Sequence, residues 1–113
     1  MITGIGTDIA LISRYEEMKD GVEKKIFTPY EISEAGKRAK RGEYLSSRFA
    51  AKEAYVKALG TGFGALSPSD IEIREDDKGA PYICVKGVPV LGTKLSLSHD
   101  GDYSVAFVVI ENE

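Results

Sequence analysis

Hydrophobic and polar positions follow two different periods along this chain. From Ile2 to Leu11 they alternate, with Ile2, Gly4, Gly6 and Asp8 on one side and Thr3, Ile5, Thr7 and Ile9 on the other, which predicts a strand. From Ser13 to Lys25 the spacing lengthens: Arg14, Met18 and Val22 recur at helical intervals and predict one short helix. The next helix has an explicit start signal. Thr28 can cap it, Pro29 suits its first position, and Glu31 completes a T-x-x-E capping box. The longest helical stretch runs from about Tyr44 or Ser46 to Leu59 and ends at Gly60, the residue type that most readily closes a helix.

After Ser67-Pro68 the period falls to two. "DIEIRE", "APYICVKG", "KLSLSH" and "YSVAFVVIE" read as strands, separated by turn signals at Asp77-Lys78-Gly79 and Asp100-Gly101. The order is strand, helices, then antiparallel strands. That predicts an α+β fold in which an antiparallel sheet packs against a long central helix and shorter helices.

Composition narrows the possibilities. At 113 residues the chain is expected to be a single domain over 1–113, and 42% hydrophobic residues suffice for one core. A domain of this size buries only ~65% of its unfolded surface, so association would be a natural supplement. The net charge of −3 argues against a nucleic-acid binder. The lone Cys84 cannot form an intrachain disulfide, and the apolar N-terminal stretch lacks a basic flank and contains Asp8. No run approaches the ~20 apolar residues of a membrane span. The expectation is a soluble, cytoplasmic domain that does not contact membranes.

Candidate chemistry centres on "FAAKEAYVKALGTGFG", residues 49–64. Glu53 and Lys57 share one narrow polar face of the central helix, while Ala51, Ala54 and Ala58 form a stripe suited to close packing. The plain alternative is an exposed i, i+4 ion pair worth ~0.2–0.5 kcal/mol. The "GTGFG" loop is either a helix cap or a backbone cradle for phosphate oxygens, with Lys57 one turn back to supply charge. Asp8 ends a strand face whose Gly4 and Gly6 leave room for a ligand, or else caps the next helix. Asp8 and Glu53 together would make a hard-oxygen pair for Mg2+. His99, the only histidine, is expected beside Leu95 and Leu97 at the edge of an apolar face, and is either structural or part of a site. The run Lys37, Arg38, Lys40, Arg41 and Arg48, with Arg14, Lys24 and Lys25, is either a solvated face or a surface for an acidic partner.

Three stretches taken together resemble one family. "GIGTDIALISR", "RFAAKEAYVKALGTG" and "LSLSHDGDYSVAFVVIE", in that order, are similar to the short, single-domain holo-acyl-carrier-protein synthases of the 4′-phosphopantetheinyl transferases. The resemblance implies that family's fold and Mg2+-dependent transfer of phosphopantetheine from coenzyme A to a serine of apo-acyl carrier protein, a step in fatty acid biosynthesis. It releases adenosine 3′,5′-bisphosphate. By the same resemblance Asp8 and Glu53 bind the metal, and Asp8, Glu53, Lys57 and His99 make up the catalytic set. Lys57, Gly60, Thr61, Gly62, Gly64, Pro81 and His99 line the coenzyme A cleft.

The resemblance further implies a homotrimer with each cleft between two subunits, Pro81 and His99 coming from the neighbour. Arg14, Met18, Lys24 and Arg48 would meet the acyl carrier protein. Glu53 and a water on the metal are rival acceptors for the serine proton. The chain departs from the family where "KGVPVLGTK" replaces a stretch that is commonly longer and helical. Two other readings use the same residues: a Mg2+-dependent nucleotide hydrolase, and a noncatalytic module that docks acidic proteins.

Overall fold

The computed structural model describes residues 1–112. Strand β1 (Ile2–Leu11) leads into α1 (Ser13–Glu16), α2 (Asp20–Ile26), α3 (Pro29–Gly36) and the long α4 (Arg41–Leu59). A 3-10 turn at Pro68–Asp70 then opens the strands β2 (Ile71–Glu75), β3 (Pro81–Val85), β4 (Val88–Pro89), β5 (Thr93–Asp100) and β6 (Tyr103–Glu111). They form two antiparallel three-stranded sheets, ordered β1-β6-β5 and β2-β3-β4, with β3 beside β5. The α+β architecture expected from the periodicity is the one observed.

Helix α4 is the centre of the molecule. One face rests on β1 and β6, and its other sides meet α1, α3 and β2. Phe27, Leu45, Val56, Ile71, Ile73, Ile83 and Val108 fill the core. Its approach to β1 explains the strand glycines. A Cβ on Gly6 would collide with the carbonyl oxygen of Ala54 and lie 2.8 Å from the Ala58 amide, while one on Gly4 would strike the Ala58 carbonyl. The alanines on the helix and the glycines on the strand are therefore two halves of one contact. This corrects the reading of Gly4 and Gly6 as room for a ligand: the helix takes that room. Gly6→Ala is expected to cost about 2–3 kcal/mol or more, because the colliding atoms are backbone. A melting curve within a degree of the parent protein would contradict it.

Three local expectations change. Ser13–Lys25 is two helices, not one, because Tyr15 and Glu23 are the buried positions and Val22 is exposed. Tyr15 packs under α4, so the chain breaks at Glu17–Lys19 to turn α2 across it. Helix α4 begins a turn early, at Arg41, since Gly42 lets α1 approach: a Cβ there would meet the Ile12 carbonyl at 3.0 Å. The hairpin loop between β5 and β6 is Gly101-Asp102, with Asp100 paired to Tyr103. The capping box stands as read, Thr28 accepting from the Glu31 amide at 3.3 Å and donating its own amide to Glu31 at 3.0 Å. "KGVPVLGTK" contains the short strand β4, reached through a tight turn with positive φ at Lys86 and Gly87.

Candidate active site

Asp8, Glu53 and Lys57 converge where β1 meets α4. Lys57 Nζ donates to Asp8 Oδ1 at 3.0 Å and to the Thr7 carbonyl at 3.1 Å. Lys57 is thus paired across the strand–helix contact, not with its i+4 neighbour, and among the described residues Glu53 has no ion-pair partner. Burial, and after it the negative charge of Asp8, raises the Glu53 carboxyl above its ordinary value, with Lys57 opposing. Two carboxylates stand near one ammonium, which pairs with Asp8 alone and is itself half exposed. The cluster therefore carries a formal excess of negative charge.

That imbalance gives a direct test in the metal-free protein. Followed by carbon NMR, the Glu53 carboxyl should titrate above an exposed glutamate. Asp8→Asn should lower its midpoint and Lys57→Met should raise it. An unmoved midpoint in Asp8→Asn would mean that the acids do not interact. The sign for stability follows. A raised carboxyl pKa favours the folded state fully below the unfolded value, and that contribution disappears as pH rises through the folded one.

The cluster suits a hard divalent cation. Both candidate oxygen ligands are carboxylates, and an ammonium already occupies the position of a cation against Asp8. No group of three or more histidine, cysteine or acidic side chains gathers as a metal site among the described residues. A two-carboxylate site fits Mg2+, which completes its shell with water and phosphate oxygens. It does not fit zinc.

The loop after α4 only partly resembles a cradle. Gly60 caps the helix in a left-handed conformation, φ 79°. Its amide donates to the Lys57 carbonyl, and those of Thr61 and Gly62 donate to Val56. These three N–H groups close the helix and are not free for an anion, which corrects their reading as phosphate donors. The amides of Phe63 and Gly64 have no backbone acceptor among the described residues. Phe63 stacks on Phe49 with ring centroids 6.5 Å apart, and so ties the loop to α4.

His99 does not join this cluster within one chain. As the alternation predicts, it shares a face with Leu95 and Leu97, and its Nε2 lies 3.4 Å from Glu43 Oε1 in the first turn of α4. Glu53 is ten residues further on, or ~15 Å along the helix. His99 instead lines a 360 Å³ cavity with Arg38, Lys40, Tyr44 and Arg48. Pro81 borders the adjoining cavity, which shares Arg48 and Leu97. Pro81 and His99 thus belong together, away from the two acids. The cationic wall beside His99 was missed in the sequence, where nothing places the end of β5 against the start of α4.

The docking candidates also divide. Arg14 and Lys24 are exposed and Met18 is partly so. Arg48 is not available for docking: it is 7% exposed, lies over the Tyr44 ring at 4.0 Å and donates to Glu75 at 3.1 Å. Most of the basic run is neutralised internally as well. Lys37 pairs with Glu34, Arg38 with Glu34 and Glu75, and Arg41 with Glu23. Among the described residues only Lys40 of that run lacks such a partner.

Comparison with known proteins gives a consistent result. The model of the 4′-phosphopantetheinyl transferase superfamily matches residues 4–108. A holo-acyl-carrier-protein synthase of Halothermothrix orenii is 43% identical, covering 98% of each chain. That of Geobacillus kaustophilus is 47% identical over 98% of this chain and 90% of its own. Among solved structures, the Bacillus anthracis synthase in complex with CoA (3′,5′-ADP) superposes with a TM-score of 0.86 at 40% identity, covering 100% of this chain and 99% of the other. The Neisseria meningitidis synthase gives the same TM-score at 37% identity, covering 99% and 100%.

Proposed function

The chain belongs to the 4′-phosphopantetheinyl transferase superfamily, and from that premise we infer that it is a holo-acyl-carrier-protein synthase. It transfers 4′-phosphopantetheine from coenzyme A to a serine of apo-acyl carrier protein. The serine hydroxyl gives up its proton, to Glu53 or to water, and its oxygen bonds to the phosphorus that carries the pantetheine. The bond from that phosphorus to the oxygen of the adenosine-side phosphate breaks, releasing adenosine 3′,5′-bisphosphate. The observation that carries the site assignment is the meeting of Asp8, Glu53 and Lys57 at the β1–α4 contact. It also counts against a docking module, which has no use for two neighbouring acids. The hydrolase would need the same acids, but the relatives are synthases.

Asp8 and Glu53 would hold Mg2+. When bound, the ion would neutralise charge gathering on the phosphate oxygens. Lys57, tethered at Asp8 but half exposed, brings a second cation to the same oxygens. Phosphoryl transfer needs mainly such positioning and charge neutralisation. The Phe63 and Gly64 amides are the loop groups left to meet the ligand, while Gly60, Thr61 and Gly62 shape the cleft by closing α4. Arg14, Met18 and Lys24 form the surface for the acidic carrier protein.

The sheet offers an interface that the homotrimer with shared clefts would use. Its face away from α4 pairs Ile5 with Val109, Thr7 with Phe107 and Ile9 with Val105. Ile5 and Ile9 are each 61% exposed and Phe107 45%. A sheet face turned to water is normally polar, and an apolar patch of this kind marks an interface. In this reading Pro81 and His99 of a neighbouring subunit would complete the Asp8–Glu53 cluster, which they do not reach within one chain. His99 comes with Lys40, a cation without an ion-pair partner among the described residues.

Intact mass of apo-acyl carrier protein, incubated with the protein, coenzyme A and Mg2+, should show a phosphopantetheine adduct. Loss of coenzyme A without an adduct would favour the hydrolase. Shared clefts predict complementation. Glu53→Ala and His99→Ala, each impaired alone, should regain about one quarter of the activity when co-refolded in equal amounts, because each cleft draws one residue from each of two subunits. No recovery would mean that no cleft draws Glu53 and His99 from two different subunits.

A further inference from the structure

Tyr15 lies within electrostatic reach of Asp8 and Glu53, and its hydroxyl has no use among the described residues. Its ring is packed on two sides and its backbone is tied by a third contact. It meets Phe27 edge-on at 6.3 Å and Phe49 at 6.0 Å, and its own carbonyl accepts from Arg41 at 3.1 Å. Phe49 is one turn before Glu53 on α4, so the contact that fixes the Tyr15 ring also sets it next to that acid. Tyr15 is only 8% exposed, yet its hydroxyl makes no hydrogen bond among the described residues and is not sealed off from solvent. A buried tyrosine ordinarily finds a partner for its hydroxyl. Tyr15 has the position of a group whose partner arrives from outside.

Its chemistry limits what that partner is. Burial, with the charges of Asp8 and Glu53, pushes the phenol up to about 12, while Arg14 opposes. The hydroxyl therefore keeps its proton at neutral pH and can donate it in a hydrogen bond. We propose that Tyr15 is a further substrate-binding residue of this site, its hydroxyl donating a hydrogen bond to a phosphate oxygen of the pyrophosphate group held at Asp8, Glu53 and Lys57. The identification of that group with coenzyme A rests on the transferase reading; the contact itself does not. The row Tyr15–Phe49–Phe63 then forms one wall of the cleft, with its polar end at Tyr15.

Tyr15→Phe keeps the ring packing and removes only the donor. Binding of inorganic pyrophosphate in the presence of Mg2+, measured by titration calorimetry, is expected to weaken about tenfold, as for loss of a hydrogen bond to a charged group. Thermal stability should be unchanged. Equal pyrophosphate affinity in the two proteins overturns the proposal, and so does failure of the parent protein to bind the ion. The transfer assay is read separately. If neither protein forms an adduct, the synthase reading fails while the ratio of the two affinities still decides the role of Tyr15.

Discussion

Glu53→Gln is expected to lower kcat/KM for phosphopantetheine transfer by about 10²- to 10³-fold, on the scale of losing a group that stabilises transition-state charge. It should leave the fold as stable as before, or more so. The two effects separate because Glu53 is a costly residue in the unliganded protein. It is partly buried beside Asp8 and has no ion-pair partner among the described residues, so its ionised form is disfavoured. An amide of the same shape removes that repulsion. It also removes half of the donor set proposed for Mg2+ and with it the charge balance at the phosphates. Asp8→Asn should be equally inactive but should also loosen Lys57, which loses its counter-charge at 3.0 Å and keeps only neutral acceptors. The double variant should be little worse than either single one, as for residues that act as a unit. Activity within tenfold of the parent protein for Glu53→Gln would remove Glu53 from the machinery. A large drop in melting temperature would show instead that the acid is structural.

Lys52→Met should be the mirror case, with a large loss of stability from a residue adjacent in sequence. Lys52 and Glu31 are both fully buried and paired at 2.6 Å. Lys52 also donates to the Ile26 carbonyl at 2.7 Å and lies over the Phe27 ring at 5.0 Å. Glu31 accepts from the amides of Thr28 and Ile73. The network ties α3, α4 and β2 together across the core. Burial pulls the Lys52 ammonium below its usual value, with Glu31 opposing. Removing the cation leaves a buried carboxylate without a counter-charge, which costs about 3–5 kcal/mol. That is a large part of the ~5–15 kcal/mol available to a domain, and melting should fall by about 10–25 °C. Adding Glu31→Leu should restore only part of the loss, because the Thr28 and Ile73 amides would then lack their acceptor. Denaturant unfolding measures both, and a Lys52→Met midpoint equal to the parent's would contradict the account.

These two residues mark how far the sequence can be read. Lys52 and Glu53 are neighbours in "AAKEA", and nothing local distinguishes a structural charge from a functional one. They point 100° apart on the helix, one into the core against Glu31 and the other toward β1. Choosing between them requires knowing what lies opposite each face. The same gap explains Arg48, whose place in a basic run suggested a surface while the fold buries it on Tyr44 and Glu75. The loop glycines were identified correctly as a helix end, yet the amides expected to be free are those that close the end.

What the sequence determined by itself was everything carried by short-range periodicity and by chemistry at fixed spacing. That includes the order of strands and helices, the capping box at Thr28 and Glu31, the end of α4 at Gly60, and the Glu53–Lys57 face. The three motifs that carry the family resemblance belong here too. Backbone geometry dictates these features within a few residues. Tertiary structure alone decided which charges face one another across elements: Lys57 on Asp8, Lys52 on Glu31, and His99 on Glu43, away from the acids. Those pairings span from 21 to 56 positions of chain, and their partners depend on how closely α4 can approach β1. Two strand glycines and two helix alanines set that distance; the alanine stripe is legible as a packing surface, but no local pattern says which strand it meets.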